Sequence, residues 1–142
     1  MTQDRIAKAS IDIAAPKETV WRALVDPTAI KQYMFGTTVA SEWREGAPIT
    51  WKGEWKGKAY EDKGVIQKLE PRRRLTYSHF SPMTGLPDTP ENYHTVDVQL
   101  REDAGKTHVT LTQDNNATDE ERQHSEKNWS TMLEGLKKVV EK

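Results

Sequence analysis

The sequence contains no cysteine, and this absence excludes several kinds of site before any motif is considered. Without thiols the chain has no thiolate nucleophile, no cysteine-ligated zinc, no iron–sulfur cluster and no disulfide framework. The absence also suits a reducing compartment, and we expect a cytoplasmic protein. A chain of 142 residues is long enough to bury a core without such crosslinks.

Long apolar runs and an excess of basic residues are missing too. No stretch approaches the ~20 apolar residues of a membrane span, and the N-terminus lacks the apolar core of a signal peptide. The 21 lysines and arginines are balanced by 22 aspartates and glutamates, whereas a dedicated nucleic-acid binder carries a basic excess. We therefore expect no nucleic-acid partner and no membrane span.

Recognised catalytic motifs form the third absence. The sequence contains no P-loop, no dinucleotide-binding fingerprint, no nucleophile elbow and no metal-binding helix motif. We accordingly assign no catalytic residue, no metal site and no cofactor.

Large aromatic residues are what the chain does have. Hydrophobic residues make up only 35% of the sequence, but five of them are tryptophans, and each buries about as much surface as two small aliphatic residues. We find no internal repeat, low-complexity run or long linker, so we expect one domain over residues 1–142.

The first third of the chain predicts a strand and two short helices. Residues 6–14 alternate between apolar and polar, as in a strand with one buried face. Pro16 then opens a helix, Asp26 and Pro27 end it and begin a second one, and Gly36 ends the second.

From residue 37 to residue 114 the hydrophobic period becomes two. The clearest alternation, in 47–56, places Ile49, Trp51, Gly53 and Trp55 on one face. The other predicted strands are 37–43, 58–69 with a bulge at Gly64, 74–80, 93–101 and 107–113; a proline-containing loop covers 81–91.

The last element is a long helix over residues 118–142. Thr118 and Glu121 have the spacing of a capping box, and the apolar residues from Trp129 onward recur at helical intervals. The element order predicts an α+β fold, in which a curved antiparallel sheet of six to seven strands wraps around the long C-terminal helix. The two short helices follow the first strand.

This order of elements resembles the helix-grip fold of the START and birch-pollen-allergen-like (SRPBCC) superfamily. Four motifs are similar to its branch homologous to the activator of the Hsp-90 chaperone ATPase (AHSA-like): Ala15-Pro16-x-x-x-Val20-Trp21-x-Ala23-Leu24-x-Asp26-Pro27, Glu45-Gly46, Gly64-x-Ile66-x-x-x-Glu70-Pro71-x-x-x-Leu75 and Trp129-x-x-Met132-Leu133-x-x-Leu136-Lys137.

The resemblance implies an internal cavity between the sheet and the long helix, but not one function. Members of the superfamily bind lipids, hormones or polyketides, activate a chaperone, or catalyse cyclisation. The chaperone activators carry a further N-terminal domain, whereas this sequence starts directly with the first strand of the fold.

The predicted ligand site lies on the inner face of the sheet and the facing side of the helix. Rings with polar tips need partners when they are buried, and a mixture of such rings suits a cavity that holds water or a ligand. The alternative is that the rings simply fill a lean core. The predicted site residues are Trp51, Trp55, Tyr77, His79, His94, Val96, Gln113, Arg122, Trp129 and Met132.

Several features stay open between a functional and a purely structural role. Arg122 either meets an acidic ligand group or belongs to a part of the helix that overhangs in solvent. His79 and His94 either act together on a metal or a substrate proton, or are hydrogen-bonded core residues, which are far commoner. The 81–91 loop is a lid, a contact surface or neither.

The leading functional hypothesis is a binding protein for a small apolar or aromatic molecule. The first alternative is an interaction protein related to the chaperone activator, with a chaperone as its partner. The second is a cyclase- or hydrolase-like enzyme that uses histidine or tyrosine in the cavity. We expect a monomer or a homodimer.

Overall fold

A computed structural model describes residues 5–34, 36–55, 57–82, 85–116 and 118–141. The described residues form seven strands and three α-helices, in the order predicted from the sequence, and a short 3₁₀ helix at Pro90–Asn92. Their bounds are β1 Arg5–Ile13, α1 Lys17–Leu24, α2 Pro27–Tyr33, β2 Thr38–Ser41, β3 Pro48–Trp55, β4 Lys58–Glu70, β5 Arg74–His79, β6 His94–Asp103, β7 Lys106–Asn116 and α3 Asp119–Val140.

The seven strands form one sheet in the order β1-β7-β6-β5-β4-β3-β2. Every neighbouring pair is antiparallel. Consecutive strands from β2 to β7 are joined as a meander, and β1 closes the order by pairing with β7. The sheet therefore has two edges, one at β1 and the other at β2.

The two predicted helix caps are present. The Asp26 side chain accepts a hydrogen bond from the Thr28 N–H at 3.0 Å, and Pro27 occupies the first position of α2, where its missing N–H is not needed. Thr118 Oγ1 accepts from the Glu121 N–H at 3.1 Å and starts α3. Side-chain acceptors thus fix where both helices begin.

The core lies between the inner face of the sheet and the helices. Leu133 and Leu136 of α3 are fully buried against it, as are Val109 and Leu111 of β7. Gly135 lets α3 approach α2, because a Cβ at this position would lie 3.2 Å from the Cβ of Tyr33. Among the described residues, no helix is both long and apolar enough to cross a membrane.

The bulge in β4 is three residues away from its predicted position. The register of β4 against β5 shifts between Ile66 and Lys68, not at Gly64. Gly64 has a different role: a Cβ there would lie 1.7 Å from the Ser78 carbonyl oxygen, so only glycine allows the two backbones to come this close. The alternation of buried and exposed residues continues through Gly64 to Ile66 and slips only after it, so a bulge in β4 was predicted correctly but at the wrong residue.

Candidate functional site

A partly open pocket lies beneath α3, at the end of the sheet where β3, β4 and β5 meet the segment after α2. Its volume is about 200 Å³. It is bounded by four polar or titratable residues and by four large apolar or aromatic ones. The lining residues are Met34, Thr37, Trp51, Tyr60, Asp62, Tyr77, His79 and Trp129.

Aromatic rings in mutual contact form the apolar part of the lining. The Trp51 ring lies 5.2 Å from the Tyr77 ring at an interplanar angle of 45°, and 5.0 Å from the His79 ring in an edge-to-face arrangement. These spacings are typical of favourable aromatic pairs. Burial raises the pKa of Tyr77, because a phenolate has no solvent to stabilise it there. Tyr77 is therefore a neutral phenol throughout the physiological range.

Two hydrogen-bonded pairs form the polar part. His79 Nε2 lies 3.0 Å from Asp62 Oδ2, and because a carboxylate oxygen accepts, Nε2–H is the donor. The hydroxyl groups of Thr37 and Tyr60 are 2.7 Å apart. The Tyr60 ring covers Gly53 on the adjacent strand, where any Cβ would collide with it. The lack of a side chain at Gly53 therefore leaves room for Tyr60, whose hydroxyl belongs to the polar part of the lining.

A second, deeper space of about 30 Å³ continues into the core. It shares Met34, Trp51 and Tyr77 with the pocket and is otherwise surrounded by aliphatic side chains and further rings, Met132 among them. A volume of this size holds about one water molecule at most. The interior around α2 is consequently well packed.

Four of the residues predicted for the ligand site come together in the pocket: Trp51, Tyr77, His79 and Trp129. Met132 borders the deeper space. Val96 is 1% exposed and is part of the hydrophobic core. Trp55 was also predicted for the site, and its side chain lies outside the part of the structure that is described.

The other three predicted residues, Gln113, Arg122 and His94, are not part of the pocket lining. Gln113 Oε1 accepts a hydrogen bond from the indole Nε1–H of Trp129, and this bond helps to fix Trp129, which lines the pocket. On α3, Arg122 Nη1 lies 3.1 Å from Glu126 Oε1. Its Nε lies 4.0 Å from Asp119 Oδ1. The guanidinium group predicted to meet an acidic ligand is therefore engaged in ion pairs on the helix surface.

His79 and His94 are cross-strand neighbours, as the strand order predicts. Their ring centroids are 6.4 Å apart, but each ring has its own partner. His94 Nδ1–H donates to the Asp114 carbonyl oxygen at 2.9 Å, and His79 is paired with Asp62. Within the described ranges, no group of three histidine, aspartate or glutamate side chains has the geometry of a metal site.

Four lining residues were not predicted from the sequence: Met34, Thr37, Tyr60 and Asp62. Asp62 and Tyr60 are two residues apart on β4 and oppose Trp51 and Gly53 on β3. The alternation in β3 already placed Trp51 on the inner face, so pairing β3 with β4 across the turn at Gly57 identifies both residues. That signal was available once the hairpin was aligned.

The loop between β5 and β6 shapes an open groove on the other face of the sheet. Asp88 is ion-paired with Lys63 and accepts from the Tyr93 hydroxyl at 2.6 Å, and these hydrogen bonds hold the pKa of Asp88 below its ordinary range. Leu86 is 53% exposed beside this cluster. The groove, of about 730 Å³, is lined by Gln67, Ser78, Asp88, Pro90, Glu91, Tyr93, Thr95, Asp114 and Asn115.

The family comparison matches nearly the whole chain. The model of the family described as "Activator of Hsp90 ATPase homolog 1-like protein" matches residues 14–141. The chain is also similar to a solved solution structure, ChR145 from Cytophaga hutchinsonii, with 61% identity and a TM-score of 0.84 over 96% of this chain and 93% of that one. Among curated proteins, none matches this chain.

Two further solved structures share the fold at lower identity. The Aha1 dimer from Colwellia psychrerythraea is 22% identical, with a TM-score of 0.73 over 96% of each chain. Ara h 8.0201 is 9% identical, with a TM-score of 0.76 over 97% of this chain and 98% of that one. These similarities confirm the predicted helix-grip architecture.

Proposed function

This chain belongs to the family of Activator of Hsp90 ATPase homolog 1-like proteins, and from that premise we propose that it binds a small aromatic or apolar molecule beneath α3. The observation that carries the proposal is the pocket of about 200 Å³ with Trp51, Tyr77 and Trp129 in its lining. Binding sites for small molecules are typically concave and apolar, with a few polar groups that set the orientation of the ligand.

The size and lining of the pocket limit the ligand. A flat molecule of one or two fused rings suits both the volume and the aromatic side chains, whereas a sterol or a long-chain fatty acid is too large for it. Stacking against these rings adds to the free energy of burial by about 0.5–1.5 kcal/mol for each aromatic pair. We therefore expect binding of small bicyclic aromatics.

The test is a titration of the full chain with 2-naphthol, followed by the NMR signals of the tryptophan indole N–H groups. We expect saturable shifts of the Trp129 and Trp51 signals, because both rings line the pocket. The Met34→Phe variant narrows the pocket and weakens binding, while Leu86→Phe, on an exposed loop, serves as the matched control. Unchanged indole signals at saturating 2-naphthol would exclude this function.

The family match also supports a second candidate, in which the chain stimulates the ATPase of an Hsp90-type chaperone. The family description names such an activator, and the solved relative from Colwellia psychrerythraea is an Aha1 dimer. The test measures ATP hydrolysis by the chaperone with and without this chain, at ligand-free and 2-naphthol-saturated conditions. Stimulation that is indifferent to 2-naphthol favours the second candidate over the first.

Location and assembly are proposed from two further observations. The lack of cysteine suits a cytoplasmic protein, and the dimeric relative makes a homodimer one of two candidate states beside the monomer. Light scattering over a range of protein concentrations distinguishes the two states.

A further inference from the structure

The Asp62 carboxylate has hydrogen-bonding capacity that the protein does not use. Its Oδ2 accepts from His79, but its Oδ1 is shielded from solvent and has no hydrogen-bond partner among the described residues. Buried polar atoms in proteins are nearly always paired, and leaving one unpaired destabilises the folded state, more so when the group is charged. Such an atom in a pocket lining needs an explanation.

The position of Asp62 connects this atom with the pocket. The residue lies in the lining, directly opposite Trp51 in the β3–β4 register, and its side chain is 16% exposed. Rotation about the terminal bond of an aspartate side chain is soft, so a small turn of the carboxylate presents either oxygen to the pocket. The other oxygen, Oδ2, is bonded to His79, whose ring lies edge-to-face against Trp51.

No other polar group of the lining that the structure describes donates to this oxygen. The Thr37 and Tyr60 hydroxyls are hydrogen-bonded to each other, and His79 donates its Nε2–H to the other carboxylate oxygen. Asp62 thus offers a hydrogen-bond acceptor beside an aromatic wall. An aromatic ligand that carries a hydroxyl or amino group matches both the Asp62 acceptor and the aromatic side chains beside it.

We infer that the pocket selects aromatic molecules that carry a hydrogen-bond donor, and that Asp62 is the residue that accepts from it. This inference rests on the proposed binding function and adds the substrate class to it. The ligand body packs among Trp51, Tyr77 and Trp129, and the O–H or N–H group at its edge donates to the Asp62 carboxylate. Hydrogen bonds to a charged acceptor change affinity by about 10- to 100-fold.

The test compares 2-naphthol with 2-methylnaphthalene, which has nearly the same shape but lacks the donor. For the unmodified protein we expect 2-naphthol to bind at least about tenfold more tightly, although it is the less apolar molecule. In Asp62→Asn an amide N–H₂ replaces the free oxygen and can only donate to the naphthol oxygen in a weaker, neutral hydrogen bond, so the preference falls. Asp103→Asn, in the exposed β6–β7 turn, is the matched control and keeps the preference.

Each outcome distinguishes the inference from the function on which it rests. Equal affinity of the two probes for the unmodified protein overturns the inference, shows that water satisfies Asp62, and leaves the binding function standing. An undiminished preference in folded Asp62→Asn places the acceptor elsewhere and also overturns it. If neither probe binds the unmodified protein, the binding function itself fails. The first comparison needs no variant, so loss of folding in Asp62→Asn cannot obscure the result.

Discussion

At the scale of single residues, close backbone approach leaves no room for a side chain at Gly64 of the sheet. Gly64 on β4 faces the backbone of β5, where a Cβ would lie 1.7 Å from the Ser78 carbonyl oxygen. The neighbouring N–H of Val65 is bonded to the Ser78 side chain at 2.9 Å, so both strands are fixed at this point. Backbone atoms cannot rotate away from an added methyl group as a flexible side chain does. A side chain at position 64 would therefore force β4 and β5 apart.

We predict that Gly64→Ala destabilises the protein by about 2–4 kcal/mol, because the added methyl group forces β4 away from β5. Urea unfolding monitored by circular dichroism measures the change. Val65→Ala, at an adjacent residue that is 42% exposed, is the control and stays within about 0.5 kcal/mol. Equal stability of the two variants would show that the strands tolerate a side chain at position 64.

A second residue-scale feature is the hydrogen-bond network around Asp97 on β6. Arg74 donates to both carboxylate oxygens, at 2.8 and 3.1 Å, and Thr76 and Gln99 each donate at 2.8 Å. Burial alone raises the pKa of Asp97, but these donors outweigh it and hold the pKa below its ordinary value of 3.8. The ionised form therefore stabilises the folded state.

We predict that Asp97→Asn lowers the free energy of unfolding by about 1–2 kcal/mol at pH 7, since the charged hydrogen bonds to Arg74 are lost. Because the pKa is depressed in the folded state, this stabilisation is present above about pH 4 and disappears as the pH falls through the folded-state pKa. Urea unfolding at pH 7 and pH 3 should give a difference that shrinks at the lower pH. A constant difference would assign the loss to shape alone.

At the scale of elements, α3 both completes the core and covers the free edge of β1. Glu126 accepts from the Lys8 N–H at 3.0 Å, and Glu141 accepts from the Ala14 N–H at 2.7 Å. Lys137 Nζ donates to the Asp12 carbonyl oxygen at 3.0 Å. Edge strands with unpaired backbone groups invite pairing with other chains, and these side chains occupy such groups on β1.

The contact between α3 and α2 gives the prediction at this scale. In Gly135→Val the additional methyl groups meet Tyr33, and we expect a loss of about 2–3 kcal/mol. In Gly135→Ala the single methyl lies 3.2 Å from the Tyr33 Cβ, and the gain in helix propensity of about 1 kcal/mol offsets most of the strain. Thermal unfolding of the two variants distinguishes them, and similar melting temperatures would show that α2 moves away freely.

At the scale of the whole molecule, packing is uneven between the two ends of the sheet. Around Leu133 and Leu136 the space between sheet and helix is filled, whereas the end near Asp62 and Trp129 holds the pocket. The proposed binding site therefore lies away from the most densely packed part of the core. A ligand that occupies the pocket adds contacts to the less densely packed end.

We predict that 2-naphthol at about 100 times its dissociation constant stabilises the chain by about 2.7 kcal/mol and raises the melting temperature by roughly 5–10 °C. A sterol at the same concentration gives no shift, because it is larger than the pocket of about 200 Å³. Differential scanning calorimetry measures both. An equal shift with the sterol would mean that the interior opens much further than the structure shows.

The sequence alone was sufficient for the order of elements, the two capped helices and the inward orientation of Trp51 and Tyr77. These features depend on local periodicity and on capping residues such as Asp26 and Thr118, which act within a few positions of the chain. Half of the pocket residues followed from the same reasoning.

Only the tertiary structure decided which polar groups of the pocket pair with one another and which atom stays unpaired. Asp62 and His79 are 17 positions apart, and their contact depends on how β4 pairs with β5 past the close approach at Gly64. Periodicity indicates the face on which a residue lies but not its partner across the strands, because register is set by bulges and turns. For that reason the unpaired oxygen of Asp62, on which the proposed ligand selectivity depends, became visible only in three dimensions.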